Sequence, residues 1–302
     1  MGEVDQKVHS HRSVPFLFSS FQANNTTMAG AVKVKDILAV INRHAPFELA
    51  ESWDNVGLLI GNPEQAVVKI LLGLDPTLSL VDEAIAIGAD AIITHHPVIF
   101  KPLAAINTGE PGGRLLAKAL TNNLAVVGCH TNFDSAAEGV SDVLAGQLGL
   151  QGLIPLVPAG ENSSIRAGLG RIGSYDQPLS GEEFLHRLLK TLTLPCVHVA
   201  GSLPAQVHRV AVCGGSGSDF AVLAKALGAD IYVSAEIKHN VAIWANECEF
   251  CIIDGTHYAT EKPAVALLAD KLAQAAARNQ WNITITQSRK ETPPFTVMGL
   301  DR

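Results

Sequence analysis

Apolar positions along the chain follow two periods. From Met28, the run A-G-A-V-K-V-K-D-I-L-A-V-I-N-R-H places its apolar residues at helical spacing and predicts an amphipathic helix. The runs K-I-L-L-G-L from Lys69, A-I-I-T from Ala91 and L-A-V-V-G from Leu124 are short and nearly continuous in apolar residues. Such runs predict strands buried on both faces. Helix-length stretches separate them, S-L-V-D-E-A-I-A-I and R-L-L-A-K-A-L-T-N-N among them. Strands alternating with helices of this length predict βαβ units and parallel sheets, because crossovers between parallel strands are right-handed.

The pattern recurs. The segment K-I-L-L-G-L-D-P-T-L-S-L-V-D-E-A-I-A-I-G-A-D-A-I-I-T-H-H matches R-V-A-V-C-G-G-S-G-S-D-F-A-V-L-A-K-A-L-G-A-D-I-Y-V-S-A-E. Lys69 falls on Arg209, Gly88 on Gly228 and Thr94 on Ser234, a constant offset of 140 residues, which sets His96 opposite Glu236. Each copy adds a second helix-strand step ending in a polar cluster. The chain therefore reads as two related α/β lobes, mostly parallel sheets flanked by helices, over residues 28–152 and 153–302, with a C-terminal strand able to return to the first. The passage I-P-L-V-P-A-G-E-N-S-S reads as the connection between them, followed by a strand and the helix G-E-E-F-L-H-R-L-L-K. Residues 1–27 lack periodicity and carry Glu3 and Asp5, unlike a mitochondrial leader, and V-P-F-L-F is too short for a signal peptide. They are expected to be a disordered extension.

The chemistry collects at strand ends. Pro97 cannot donate to a sheet ladder, so the strand through Ile93 should finish near Thr94 and deliver His95 and His96 at its carboxyl edge, where open α/β sheets keep their ligands. In a regular strand the two would face opposite ways; at its tip they can serve two ions. The local alternative packs one imidazole and exposes the other. His130 and Asp134 follow the next strand, and His257 and Glu261 occupy the equivalent place in the second lobe. Imidazoles mixed with carboxylates suit Zn, Mn, Fe or Co. Asp134 has a structural alternative as the N-cap of the helix in S-A-A-E-G-V-S-D-V-L-A. Thr260 would cap a helix with Pro263 as its third residue, which places His257 on a loop and Glu261 in a first turn.

Composition limits the function classes. The chain has 302 residues, 47% of them hydrophobic and 17% charged, enough for one large or two medium domains and unlike a disordered chain. A net charge of -7 leaves no basic excess to bind a nucleic-acid backbone. No apolar run approaches the length of a membrane span. Five cysteines, mostly in apolar runs, suit reduced thiols and a cytoplasmic protein. Cys248 and Cys251 form C-E-F-C without a second pair, which reads as core rather than zinc site.

Five stretches carry a resemblance: E-S-W-D-N-V-G-L-L-I-G (51–61), I-T-H-H-P-V-I-F (93–100), C-H-T-N-F-D (129–134), S-A-E-I-K-H (234–239) and G-T-H-Y-A-T-E (255–261). In this order, across about residues 30 to 300, the sequence resembles the Nif-three-like family, the GTP cyclohydrolase type 2 homologues, in its compact form without an inserted domain. The resemblance implies two lobes with a dinuclear site between them. It implies two divalent transition-metal ions per chain held by His95, His96, Asp134, His257 and Glu261, with Asp134 or Glu261 bridging. It also implies a homohexamer. The family usually has an aspartate at the position of Glu236.

Two close ions favour metal-assisted hydrolysis. A type 2 cyclohydrolase would direct a metal-activated water at the guanine ring of a nucleotide, with His239, Glu236 or His130 moving the proton. The turn G-G-S-G-S-D (214–219) has two readings, a phosphate cradle or a tight turn into a helix. Three functions stay open: this cyclohydrolase-type reaction on a small nucleotide, hydrolysis of phosphoesters in nucleotides or nucleic-acid ends, and a non-catalytic metal-binding or protein-interaction scaffold.

Overall fold

Each amphipathic or apolar run ends where its punctuation directs. The computed structural model describes residues 31–160 and 166–298; the expected extension over 1–27 lies outside them. The first helix, α1 (Val34–His44), buries Val34, Ile37, Val40 and Ile41 on one face. The first sheet is built from β1 (Gly57–Ile60), β2 (Lys69–Gly73), β3 (Ala91–Thr94) and β4 (Ala125–Gly128), with α2 (Leu78–Ile87) and α3 (Pro111–Thr121) as crossovers. The short α4 (Thr131–Ser135) and α5 (Val140–Leu148) lead to the second sheet. That sheet holds β5 (Gln151–Pro158), β6 (Gly168–Ser180), β7 (His198–Ala200), β8 (Gln206–Ser216), β9 (Ile231–Ala235) and β10 (Cys251–Asp254). Its helices are α6 (Gly181–Leu192), α7 (Ala221–Ala226) and α8 (His239–Glu247). The chain then runs through α9 (His257–Arg278) into β11 (Thr284–Gln287).

The first sheet has the order β1-β4-β3-β2-β11, parallel except for β1. The second, β5-β6-β8-β9-β10-β7, is parallel at its centre and antiparallel outside. β11 pairs with β2, so the last strand does join the first sheet. The first part of the passage read as a connection, residues 154–158, belongs instead to the edge strand β5, where Pro155 and Pro158 are tolerated because an edge leaves amides unpaired, while residues 161–164 lie outside the described residues. No helix among the described residues is long and apolar enough to cross a membrane.

The repeat has a physical cause. Gly88 (φ 66°) and Gly228 (φ 79°) reverse the chain after α2 and α7 in the left-handed region that suits glycine. Two residues on, an aspartate pins the neighbouring strand. Asp90 Oδ2 accepts from the amides of Val68 and Lys69 at 2.7 and 2.9 Å. Asp230 Oδ2 accepts from those of His208 and Arg209, both at 2.8 Å. G-A-D therefore fixes strand register twice.

Residues of α5 and α9 enter both main cores. Val140, Ala264, Val265, Leu268 and Leu272 pack with the first sheet, while Leu144, Leu148 and Ala259 pack with the second. This shared layer makes Val32–Arg302 one compact unit. It also corrects the reading of Pro263, which lies inside α9 rather than near its start. Proline removes one helical hydrogen bond, but the apolar face of this 22-residue helix is buried on both sides of the defect. His257 and Glu261 are consequently one turn apart on a continuous helix, and Thr256, not Thr260, caps it by accepting from the Ala259 amide.

Candidate metal centre

Three chain segments converge above the carboxyl ends of β3, β4 and β10. The pairing that β2 gives β3 extends past Thr94: the His95 and His96 amides donate to the carbonyls of Gly73 and Leu74 at 3.3 and 3.0 Å. Both histidines are therefore held in place beyond the strand, with ring centroids 5.1 Å apart. β4 delivers His130, and α4 turns Asp134 back toward them. Asp134 is not a cap; Gly139 is the residue before α5, and its amide donates to Asp142. The first turns of α9 contribute His257 and Glu261.

Every imidazole is oriented from behind. The Nδ1–H of His95 donates to the Cys129 carbonyl at 2.8 Å. That of His96 donates to Asp75 at 2.7 Å, of His130 to Asp54 at 2.9 Å, and of His257 to Glu236 at 2.8 Å. A carbonyl or carboxylate on Nδ1 fixes the tautomer and leaves the Nε2 lone pair for a cation, as second-layer partners of metal-bound histidines do.

The Nε2 atoms surround Glu261. Its Oε2 lies 3.1 Å from His96 Nε2 and 3.0 Å from His257 Nε2, and these two nitrogens are 3.2 Å apart. Its Oε1 lies 3.6 Å from His95 Nε2, which is also 3.6 Å from Asp134 Oδ1. Four ligands on one ion at about 2.0–2.1 Å stand roughly 3.3 Å apart, so both sets have the spacing of a shared cation. His95, His96 and His130 form a third set of ligand atoms within 4.8 Å of one another. The atoms facing this gap also lack other partners: buried His95 Nε2 and Glu261 Oε2 make no hydrogen bond. Unpaired buried polar atoms are rare because each costs about 1–3 kcal/mol. The donor set suits a divalent transition-metal cation, and Glu261 has an oxygen in each of the two sets.

Electrostatics point the same way. Burial opposes protonation of His96, but the hydrogen bond to Asp75 and the carboxylate of Glu261 beside it raise its pKa to about 10. The same opposition, overcome by Glu261 and Glu236, leaves His257 at about 9. Burial works against an ionised Glu261, yet the surrounding imidazoles hold it well below the carboxylate range. Burial and the Glu261 charge push Asp134 up despite the opposing histidines. Metal-free, the cluster retains protons that an entering cation must displace, so affinity falls on acidification.

A cavity of about 770 Å³ opens over the cluster. Its walls include Trp53, Phe100 and Phe220, and its floor His96, His130, Asp134, His257 and Glu261. The G-G-S-G-S-D turn closes one side. Its Gly214, Gly215 and Gly217 amides are already given to the hydroxyls of Ser141, Thr260 and Ser234. Burial pushes the Cys129, Cys213 and Cys251 thiols up to about 12, so these remain neutral core groups.

Known proteins share this architecture. Residues 32–294 match the family described as Duf34/NIF3 (NGG1p interacting factor 3). The chain belongs to the DUF34/NIF3 family. A Streptomyces coelicolor relative named GTP cyclohydrolase 1 type 2 homolog is 35% identical over 267 residues, covering 87% of this chain and 94% of that one. The structure of a Bacillus cereus protein related to NIF3 superposes with a TM-score of 0.85 at 25% identity, covering 89% of this chain and 100% of that one. Reduced HcgD from Methanocaldococcus jannaschii gives 0.71 at 29% identity, covering 86% and 99%.

Against this DUF34/NIF3 frame, the five expected ligands meet at one place, with His130 beside them. Glu236 lies behind His257 rather than in the gap. His239 is exposed at the start of α8 and is not among the residues lining the cavity. Sequence reasoning missed Asp54 and Asp75. Asp54 sits in E-S-W-D-N-V-G and also accepts from the Thr131 amide and hydroxyl; Asp75 follows β2 as L-D-P-T. The signal available for both was a carboxylate next to a strand end.

Glu291, far along the chain, was missed as well. Its Oε1 accepts from the Leu74 and Asp75 amides at 2.5 and 2.9 Å, and its Oε2 pairs with Lys262, the residue after Glu261. One carboxylate thus ties the Asp75 that orients His96 to the helix bearing Glu261. Glu291→Ala should lower metal affinity about tenfold, the usual effect of losing such an outer partner, with most of the fold retained. Metal titration of that variant with unchanged affinity would show that the tie is not needed.

Proposed function

We propose that the protein binds two divalent transition-metal ions in this cluster and is a hydrolase of a small nitrogen-ring substrate of the nucleotide class. The observation that carries the reading is the arrangement of inward Nε2 atoms around Glu261, each imidazole fixed from behind. His95, Asp134 and Glu261 Oε1 would hold one ion; His96, His257 and Glu261 Oε2 the other. When bound, such ions supply Lewis-acid polarisation and lower the pKa of water. The name of the Streptomyces coelicolor relative supports a nucleotide-type substrate.

The chain's own residues support the rest. His130 lines the cavity while Asp54 holds its Nδ1, so its Nε2 is placed to accept and return a proton near a substrate. Burial works against an ionised Asp54, but hydrogen bonds from His130 and Thr131 keep it far below the usual carboxylate range, a constant anion behind that imidazole. Glu236 orients His257, a task that its outward position fits better than proton transfer.

The expected content after reconstitution with Zn or Mn is two ions per chain, and one for Asp134→Asn, which keeps the shape and removes the charge. Elemental analysis giving one ion or none for the unaltered protein would sink the dinuclear reading. With two ions in place, GTP, guanosine and a phosphodiester are assayed with and without chelator. Chelator-sensitive ring opening or hydrolysis supports the hydrolase; two tightly held ions and no turnover would assign the site to metal carriage.

A further inference from the structure

The cavity says more about its occupant than the metal cluster does. Four carboxylates line it, Glu51, Asp134, Asp219 and Glu261, and among the described residues no lysine or arginine does. Asp219 is satisfied by Lys238, with both oxygens within 2.7 Å of Nζ. Behind the imidazoles stand three more carboxylates, of Asp54, Asp75 and Glu236. Two divalent ions would therefore be balanced by the carboxylates already around them. A triphosphate entering here would meet acidic walls and, among the described residues that line the cavity, no lysine or arginine to pair with its oxygens, Lys238 being held by Asp219, whereas polyphosphate sites use arginine, lysine or unpaired backbone amides. Of the adjoining glycine turn, the Gly214, Gly215 and Gly217 amides are taken by hydroxyls.

What the cavity offers is an aromatic wall and one uncommitted carboxylate. Trp53 is 58% exposed and Phe100 43% exposed at its mouth, packed edge to face at 5.8 Å, and both rings stand against His130. Large aromatic faces left open to solvent beside a polar floor suit a flat ring. Two residues before Trp53, the backbone of Glu51 is fixed by donating to Thr131 Oγ1 at 2.9 Å, and the residue lines the cavity with no side-chain partner for its carboxylate among the described residues. An ionised carboxylate accepts only, so it selects a ligand edge made of N–H donors.

We infer that the cavity takes an uncharged nitrogen heteroaromatic, a nucleobase or nucleoside, stacked on Trp53 and Phe100 with an N–H edge on Glu51, and not a nucleoside triphosphate. This rests on the proposed metal-dependent site for its chemistry, but the stacking wall and Glu51 lie outside the ligand set. Phosphate removal is therefore the class of reaction that must precede this one.

Calorimetric titration of the zinc-loaded full chain with guanosine, GTP and tripolyphosphate tests it. Guanosine should bind at least tenfold more tightly than GTP, and tripolyphosphate should not compete. Glu51→Gln should weaken guanosine about 10- to 100-fold with zinc content unchanged, since a charge-assisted hydrogen bond is lost. Trp53→Ala should weaken it similarly, and Trp53→Phe much less. GTP binding more tightly than guanosine, full affinity in Glu51→Gln, or no binding of guanosine, adenosine or cytidine would each overturn the inference. The same titrations after chelation separate the two claims: failure to load zinc sinks the metal reading, while guanosine binding to the wall still reports on this one.

Discussion

Glu261→Gln is expected to abolish high-affinity binding of both ions, the largest single effect of any substitution here. The glutamate faces three imidazoles with its two oxygens and is only 3% exposed. Glutamine keeps its length and volume, so the fold should persist, but it removes the charge shared between the two ligand sets. Each set would be left with neutral imidazoles, plus Asp134 on one side only. Elemental analysis after dialysis should find less than one ion per chain, with the circular dichroism spectrum unchanged. Retention of both ions would mean that the histidines and Asp134 suffice, and the bridge would have to be withdrawn.

Gly215→Ala should have the second-largest effect, and by a different route. Gly215 adopts φ 65°, and a Cβ built there falls 2.0 Å from Glu261 Oε1 and 3.2 Å from His257 Nε2. The left-handed backbone costs alanine about 1–2 kcal/mol. The clash adds a displacement that a buried carboxylate has little room to absorb. Stability should therefore fall modestly while metal affinity falls by a hundredfold or more, because ligand placement tolerates only a few tenths of an ångström. Thermal unfolding of the metal-free variant and metal titration read the two parts separately. A variant that binds both ions normally would show that Glu261 has a second workable position.

The contrast between the two helices near Asp134 and Pro263 shows why local patterns mislead. Asp134 before S-A-A-E-G-V has the form of a cap, but the chain spends it inside α4 and caps α5 with Gly139 instead. Pro263 has the form of a helix start, but α9 begins six residues earlier. In both cases burial against the two sheets outweighs a preference of about 1 kcal/mol for a cap or a few for a proline. The edge strand β5 was lost to the same effect: its prolines read as linker until a neighbouring strand gives them a place.

The sequence by itself determined the period of each element, the βαβ repeat with its G-A-D signature, and the residue types that gather at strand ends. These are local properties: apolar spacing, a glycine that can take positive φ, and an aspartate that pins the next strand's amides. Only the tertiary structure decided which partners stand behind the histidines and which carboxylate lies between the two ligand sets. Asp54, Asp75, Glu236 and Glu291 lie 76, 21, 21 and 217 positions from the groups they hold, His130, His96, His257 and the Leu74 amide. No periodicity links such pairs. They meet because α9 packs between two sheets and brings the second lobe's strand ends over the first.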